Sequence, residues 1–469
     1  MQSAELFNYF QTEGNNLKII IAGEGKMGAT LTRQLTREGD DLTLIDYNPS
    51  VLESSEEKYD IMVVHGNCAS RETLIQAGVK DADLLIAVTG PDEVNLLCCM
   101  TAHGINPKIH TIARVRNPEY ADQIMEMRDF YSLSLAVNPE KQAAVEMARL
   151  LRYPGFLKRD TFAKGRVEIV ELRVDENSKL CDVALNDMYG IVKCKILVCA
   201  VIRDGSAVAP DGKFVLREGD RIFVTASSDV LTYLLKNLGI ITHKTKRAIL
   251  CGGGRVSYYL AKQLEESGID AQIIEKDPER CEQLAAILPE TCIVNGDASS
   301  QQFLESEGLS SCDALVAMTG LDELNMVISL YGGKCGVPQV ITKLGRMDNA
   351  NMLGNVALGS VVSPKELCCN TIVRYVRAMK NQEGGAIAMH YIADGQAEAI
   401  EFVVDDTTRH MGEPLKTLKL KKGVLVVCIT KGARHEIPNG DSFYEKGNTV
   451  IIVTNREKRI YQLNDIFES

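Results

Sequence analysis

Residues 17–46 read LKIIIAGEGKMGATLTRQLTREGDDLTLID. Ile19, Ile20 and Ile21 make a short apolar run that enters a glycine turn at Gly23, Gly25 and Gly28, after which Met27, Leu31 and Leu35 recur at helical spacing. Leu42, Leu44 and Ile45 then begin a second strand that ends on Asp46. Each part of this strand, turn, helix, strand unit has a chemical reason if a dinucleotide binds to it. Gly23 permits the tight turn, Gly25 lets backbone approach a pyrophosphate, and Gly28 lets the helix pack close to the strand. The free N–H groups and positive dipole end of the helix then face the phosphates, so Lys26 and Met27 at its start join the candidate cofactor-binding residues. Asp46, about 20 residues on, can accept both hydroxyls of a ribose, and its charge disfavours a 2′-phosphate, so NAD is expected over NADP. Glycine turns also close strand-to-helix junctions for steric reasons alone, and that reading needs no ligand.

A chain of 469 residues is too long for one core and is expected to form three or four domains. Its formal charge of −11, with no compensating run of Lys and Arg, argues against nucleic acid as a partner. Fourteen cysteines suggest metal or disulfides until their spacing is read. No CxxC pair occurs, Cys98–Cys99 and Cys368–Cys369 fall in apolar helical stretches, and Cys194, Cys199, Cys251, Cys292 and Cys428 lie in or beside apolar runs. Buried, reduced thiols in a reducing cytosol are expected, with no metal site. The first sixteen residues have neither a basic start nor a long apolar core, so no signal peptide is expected. No stretch approaches the ~18 to 20 apolar residues of a membrane span.

Further along, alternating apolar runs and helical stretches predict strands at 61–64, 83–88, 109–113 and 133–137, then a helix over 140–152. This is a doubly wound parallel sheet. Past residue 153 short β-rich runs at 167–174, 195–202 and 221–225 predict a separate small α+β domain, with a linker at 242–246. The pattern then restarts: residues 248–254 match 19–25 with a shift of 252 − 23 = 229, and TGPDEVN at 89–95 returns as TGLDELN at 319–325. Strands at 397–404, 424–429 and 449–454 close the second copy. The expected domains are therefore 17–153 and 247–381, Rossmann-like, with small lobes at 160–238 and 386–469, and each copy is expected to fold around its own cores.

The copies differ where a ligand would sit. Ser257 stands in the place of Gly28, which is expected to open or shift the second turn, and Arg255 replaces Lys26; Gly252 and Gly254 keep the turn, and Glu275 keeps the place of Asp46. After the third strand, Asn67 and Cys68 face Asp297 and Ala298, so base contacts are expected to differ: a carboxylate only accepts, an amide also donates. Thr89 and Gly90, with Asp92, Glu93 and Asn95, sit where the fourth strand meets its helix; ligand contact and an acid-capped helix start are both open there. Arg114 after the fifth strand is a candidate phosphate contact, matched by Lys343, and an ordinary exposed cation is its alternative. The seven histidines have no repeat-equivalent carboxylate partner, and no catalytic constellation is visible. An NAD-dependent oxidoreductase stays as the alternative function.

GEGKMG, Asp46, HGNC (65–68), VTGPDEVN (88–95), ARVRNPEY (113–120) and NPE (138–140), followed by a β-rich lobe and then repeated, resemble the TrkA family of potassium-uptake regulatory subunits. The units of that family are RCK domains, regulators of potassium conductance. The resemblance implies a non-enzymatic cytosolic protein, peripheral to the inner face of the membrane, that binds NAD(H) and also ATP or ADP. It implies a homo-oligomer, a tetrameric ring, beneath a membrane-embedded, TrkH-like potassium transporter that it gates. Carried onto this chain, the dinucleotide loop falls on Gly23, Gly25 and Gly28, the ribose acid on Asp46 and a phosphate or base contact near Arg114. In the second copy the loop is residues 252–254, with Glu275 and Asp297.

Overall fold

The structure, a computed structural model, describes residues 16–152, 158–162, 167–176, 178–239, 245–345, 358–380, 386–432, 434–455, 460 and 462–468. The start of the chain and residues 242–244 of the expected linker lie outside the described residues. Strands β1 (Lys18–Ala22), β2 (Asp41–Asp46), β3 (Met62–His65), β4 (Leu84–Ala87), β5 (His110–Arg114) and β6 (Leu135–Val137) form one parallel sheet in the order β3-β2-β1-β4-β5-β6. Between them run α1 (Lys26–Arg37), α2 (Pro49–Lys58), α3 (Arg71–Gln76), α4 (Asp92–Ile105) and α5 (Pro118–Glu126), and α6 (Pro139–Arg152) follows β6. Apart from Lys18, β1 and β4 are buried throughout, because a parallel sheet covered on both faces puts every side chain of its central strands in the interior. That is why they read as unbroken runs of Ile, Leu and Ala. The doubly wound expectation holds, with strand ends moved by a residue or two.

The first small lobe is an antiparallel sheet, β10-β9-β11-β8-β7, built from β7 (Lys158–Phe162), β8 (Val167–Arg173), β9 (Leu197–Arg203), β10 (Ser206–Val208) and β11 (Arg221–Ser227), with α7 (Met188–Val192) and α8 (Ser228–Leu238). The second parallel sheet repeats the first as β14-β13-β12-β15-β16-β17. Its elements are β12 (Arg247–Cys251), α9 (Arg255–Glu265), β13 (Asp270–Glu275), α10 (Pro278–Ile287), β14 (Cys292–Asn295), α11 (Gln301–Ser306), β15 (Ala314–Ala317), α12 (Asp322–Lys334), β16 (Gln339–Lys343) and β17 (Ser360–Val362). Helix α13 (Pro364–Lys380) follows, and the last sheet is β18-β19-β22-β20-β21, from β18 (Ala386–Ile392), β19 (Ala397–Val403), β20 (Val424–Lys431), β21 (Arg434–Glu436) and β22 (Thr449–Asn455). The first and last strands of each small sheet were not expected from sequence: β10 and β21 are three residues long and β7 lacks an apolar run, whereas β18 (AIAMHYI) carries one.

One expectation is corrected. The copies do not keep to their own cores, since the chain divides into residues 1–139 with 365–380, and residues 140–364 with 381–469. Within the first unit, α13 lies on the first parallel sheet's helical layer and buries Cys368, Cys369, Ile372, Val373 and Val376. Arg377 Nε reaches Glu38 Oε2 at 2.9 Å, Lys380 Nζ lies 2.6 Å from Asp40 Oδ1, and His110 Nδ1 meets the Tyr375 hydroxyl at 2.6 Å. Within the second unit, α6 makes the matching contacts: Arg152 Nε donates to Ser267 Oγ at 2.7 Å, and Gln339 Nε2 donates to the carbonyl of Leu150 at 2.7 Å. The shift of 229 pairs Glu38 with Ser267, so the contact that is ionic in one unit is neutral in the other. The two small sheets also share a core in the second unit, in which Phe162, Ile169 and Phe223 pack with Ile392, Val427 and Ile451. Gln396 adds hydrogen bonds to the backbone of Ala207 and Gly205.

Burial pushes the Asp40 carboxyl up, and Lys380 opposes that by favouring its charged form. Lys380→Met leaves a buried carboxylate without its cation, which costs about 3 kcal/mol at neutral pH. In denaturant unfolding the loss should shrink as the pH falls toward the ordinary aspartate range, where Asp40 takes up a proton and the penalty disappears.

Candidate nucleotide clefts

The two glycine turns share one geometry. Gly23 and Gly252 have φ of +99° and +107°, a region open to glycine, and a Cβ on Gly23 would lie 2.9 Å from the Thr89 nitrogen. Gly25 (φ −68°, ψ −169°) and Gly254 (φ −73°, ψ −175°) cap their helices in ordinary extended backbone. A Cβ on either would meet no protein atom within 4 Å, and the same is true of Gly90 and Gly320. Packing therefore explains Gly23 and Gly252 but not Gly25, Gly254, Gly90 or Gly320, all of which border open space at the carboxyl edge of a parallel sheet.

Gly28 is a packing residue: a Cβ there would fall on the Gly23 carbonyl. Its counterpart Ser257 is wholly buried, yet the second turn does not open as expected from sequence. The hydroxyl donates a hydrogen bond to the Gly252 carbonyl, so a polar contact takes the place of close approach, and the turn keeps the first copy's dihedral angles.

The ribose-position acids brace the turns. Asp46 accepts from the N–H of Glu24 at 2.7 Å with one oxygen and from that of Asn48 at 2.9 Å with the other; Glu275 does the same for Gly253 (2.6 Å) and Asp277 (2.9 Å). Each oxygen keeps a second acceptor site for a ligand hydroxyl. Lys26 and Arg255 are exposed beside the turns, whereas the side chains of Met27 and Cys68 point into the core, so those two would reach a ligand only through backbone. Asn67 and Asp297 are exposed in equivalent turns, accepting from Ala69 N and Ser299 N at 2.9 and 2.8 Å. Those Ser299 hydrogen bonds hold the Asp297 carboxyl below its usual value.

The TGxDExN motif resolves as a brace. Asn95 is fully buried; its Oδ1 accepts from Thr89 N and Oγ1 at 2.8 and 2.7 Å, and its Nδ2 donates to the Arg114 carbonyl at 2.9 Å. Asn325 repeats these bonds with Thr319 and Lys343. Asp92 accepts from the N–H groups of Arg116 and Asn117, both at 2.8 Å. The motif thus ties the end of the fourth strand to that of the fifth. Arg114 folds its guanidinium back on the carbonyls of Thr89 and Gly90, and Lys343 Nζ donates to the Met318 carbonyl at 3.0 Å. Burial draws the Lys343 ammonium down from its ordinary value, against the pull of Asp322 and Glu140.

Two residues of weight were not singled out from sequence. Glu24, inside the first turn, is 5% exposed and accepts from Thr32 Oγ1 at 3.0 Å and Ser55 Oγ at 2.9 Å; its counterpart is Gly253. Arg280, where the first copy has Val51, donates from Nε to the Gly253 carbonyl at 2.8 Å. Aligning the two copies across these positions carries the signal, since each swaps a charged residue for an uncharged one.

The TrkA-N domain model matches residues 19–130 and 248–364, and the TrkA-C domain model matches residues 169–239. A "Trk system potassium uptake protein TrkA homolog 1" of Methanosarcina mazei is 32% identical over 93% of this chain and 97% of its own length. The chain belongs to the TrkA family. The Trk system potassium uptake protein TrkA of Haemophilus influenzae is 29% identical over 96% of this chain and 99% of that protein. Among solved structures the GsuK RCK domain aligns with a TM-score of 0.60 at 17% identity, covering 95% of this chain and 94% of that one, which shows a shared fold. This TrkA-family chain is accordingly a tandem-RCK regulatory protein of Trk potassium uptake and not an enzyme, which sets aside the oxidoreductase alternative. Among the described residues no helix is long and apolar enough to cross a membrane, and no group of side chains could hold a metal ion. The cysteines are free and nine of the fourteen are buried as expected; Cys181, Cys194, Cys281 and Cys335 are half-buried, and Cys292 is exposed on β14, an edge strand of its sheet.

Burial raises the Glu24 carboxyl above its ordinary value of 4.5, outweighing the Ser55 and Thr32 hydrogen bonds that favour its charged form. A raised acid stabilises the fold below its unfolded value, and that contribution is lost as pH rises through the folded value. Glu24→Gln should therefore unfold at a higher temperature than the parent chain at neutral pH and at an equal one in acid, as measured by thermal denaturation across pH.

Proposed function

We propose that the first cleft binds NAD(H) and that its occupancy gates the membrane-embedded, TrkH-like potassium transporter. The observation that carries this reading is the open space in front of Gly25 and Gly90. Neither dihedral angles nor neighbouring atoms require glycine at those positions, and a pyrophosphate lying on the α1 N-terminus does. Asp46 then takes the ribose hydroxyls on its free acceptor sites, and Asn67 faces the base. A GsuK channel of the same fold has been solved with NAD bound, which supports NAD as the ligand class. The chain acts from the inner face of the membrane as a homo-oligomer, a ring of four, with each Rossmann-like domain and its small lobe as the working pair.

The second cleft has a different charge pattern. It lacks the Glu24 carboxyl and gains the Arg280 guanidinium, held to the turn by its Nε while its Nη1 donates to Gln283 Oε1 at 3.1 Å. That pattern favours a nucleotide carrying more phosphate charge, ATP or ADP.

Gating requires differential affinity: a ligand equally tight for two states moves neither, and a swing from 1:99 to 99:1 needs about 5.5 kcal/mol, divided among the sites of the ring. Titration calorimetry tests the assignment. Asp46→Asn should weaken NAD binding by about tenfold and leave ATP binding unchanged, whereas Arg280→Met should weaken ATP alone. Unchanged NAD affinity in Asp46→Asn defeats the ribose assignment. Potassium flux through the reconstituted transporter that ignores saturating nucleotide defeats the gating.

A further inference from the structure

We propose that the helix exchange also completes the first cleft: Lys365, carried on α13 from the second copy, is a phosphate-binding residue of that cleft and takes the phosphate on the far side of the glycine turn from Asp46. The proposal rests on the nucleotide reading given above and adds to it a residue from the other half of the chain.

The placement follows from contacts along α13. Near its start, Cys369 Sγ donates to the carbonyl of Met27, in the first turn of α1, at 3.9 Å. Toward its end, Arg377 and Lys380 reach Glu38 and Asp40, just past the last turn of α1. The two helices therefore run side by side in one direction, and both begin at the carboxyl edge of the first sheet, where the glycine turn lies. Tyr375 meets His110, the first residue of β5. From Tyr375 back to Lys365 the helix spans about 15 Å, and from His110 to Arg114 the strand spans about 13 Å. Lys365 thus stands level with Arg114, whose guanidinium closes on the Thr89 and Gly90 carbonyls beside the open space at Gly90. In the sheet, β2 with Asp46 lies on one side of β1, and β4 and β5 lie on the other. A dinucleotide with its ribose on Asp46 crosses the turn and carries its second phosphate toward Gly90.

The second unit supports the same placement. Gln339 and Leu150 repeat the contact of His110 and Tyr375, with shifts of 339 − 110 = 229 and 375 − 150 = 225. Those shifts also pair Lys343 with Arg114 and Glu140 with Lys365. Glu140 acts there on the end of the fifth strand, where its charge favours the charged form of Lys343. The two exchanged helices open with opposite charge orders, Asn138-Pro139-Glu140-Lys141 against Ser363-Pro364-Lys365-Glu366. One place beside the fifth strand therefore holds an acid in the second cleft and a cation in the first.

The surroundings of Lys365 leave its charge poorly matched. Its side chain is 20% exposed, and its one ion pair among the described residues is with Glu366 Oε1 at 4.0 Å. That carboxylate also faces Arg33 at 3.9 Å and accepts from Gln34 Nε2 at 3.4 Å. Two cations share one carboxylate, and a phosphate supplies the charge that is missing. A phosphate held by Lys365 touches both the first sheet's turn and the exchanged helix, so occupancy of the cleft also fastens α13 in place.

Titration calorimetry on the full chain tests this. Lys365→Met should weaken NAD about tenfold and leave AMP, which ends at the first phosphate, unchanged. Lys365→Arg, which keeps the charge, should stay within about threefold of the parent chain. NAD should slow hydrogen exchange in the first turns of α13 in the parent and not in Lys365→Met. Unchanged NAD affinity in Lys365→Met, or an equal loss for NAD and AMP, overturns the proposal, while NAD binding by the parent keeps the nucleotide reading standing. If the parent itself binds no NAD, the nucleotide reading falls and this proposal falls with it.

Discussion

A parallel sheet has two apolar faces, and both must be covered before its central strands can be buried. In this chain part of the cover for each sheet comes from a helix that follows the other sheet in sequence: α13 on the first, α6 on the second. Neither copy is complete without a segment of its duplicate. The contacts that hold the exchanged helices also differ, with the Arg377–Glu38 and Lys380–Asp40 pairs on one side and neutral hydrogen bonds to Ser267 and Leu150 on the other. Breaking a buried ion pair costs more than losing a neutral hydrogen bond, so the two exchanges have different strengths.

Against that frame the edge of each sheet is held by small, fully satisfied polar groups. Asn95 and Asn325 bond to the backbone at the ends of the fourth and fifth strands, and Asp46 and Glu275 fasten each turn to its second strand. Rigidity of this kind leaves the glycine-lined space open without any side chain collapsing into it. A cleft formed in advance loses less conformational freedom when a ligand enters, and more of the binding energy is left for shifting a conformational equilibrium.

Duplication followed by divergence has placed different charges around the same backbone. The change from Glu24 to Gly253 and from Val51 to Arg280 alters the field at the turn while the glycine dihedrals stay alike. Ser257 shows how little the backbone needs to change: a hydroxyl finds the carbonyl that the glycine merely touches. A regulator with two such clefts can read two ligands through one fold.

The doubly wound fold, the duplication and the two glycine turns were legible in the sequence because they rest on local order: apolar runs of strand length, glycines at fixed offsets and an acid at the end of the second strand. The TGxDExN motif was legible as a pattern but not as a brace, since Asn95 acts on the carbonyl of Arg114, 19 residues away. The inward turn of Met27, the helix exchange and the shared core of the small lobes were settled only by tertiary structure. Periodicity says which face of a helix is apolar, and it does not say which of two similar apolar surfaces will cover that face.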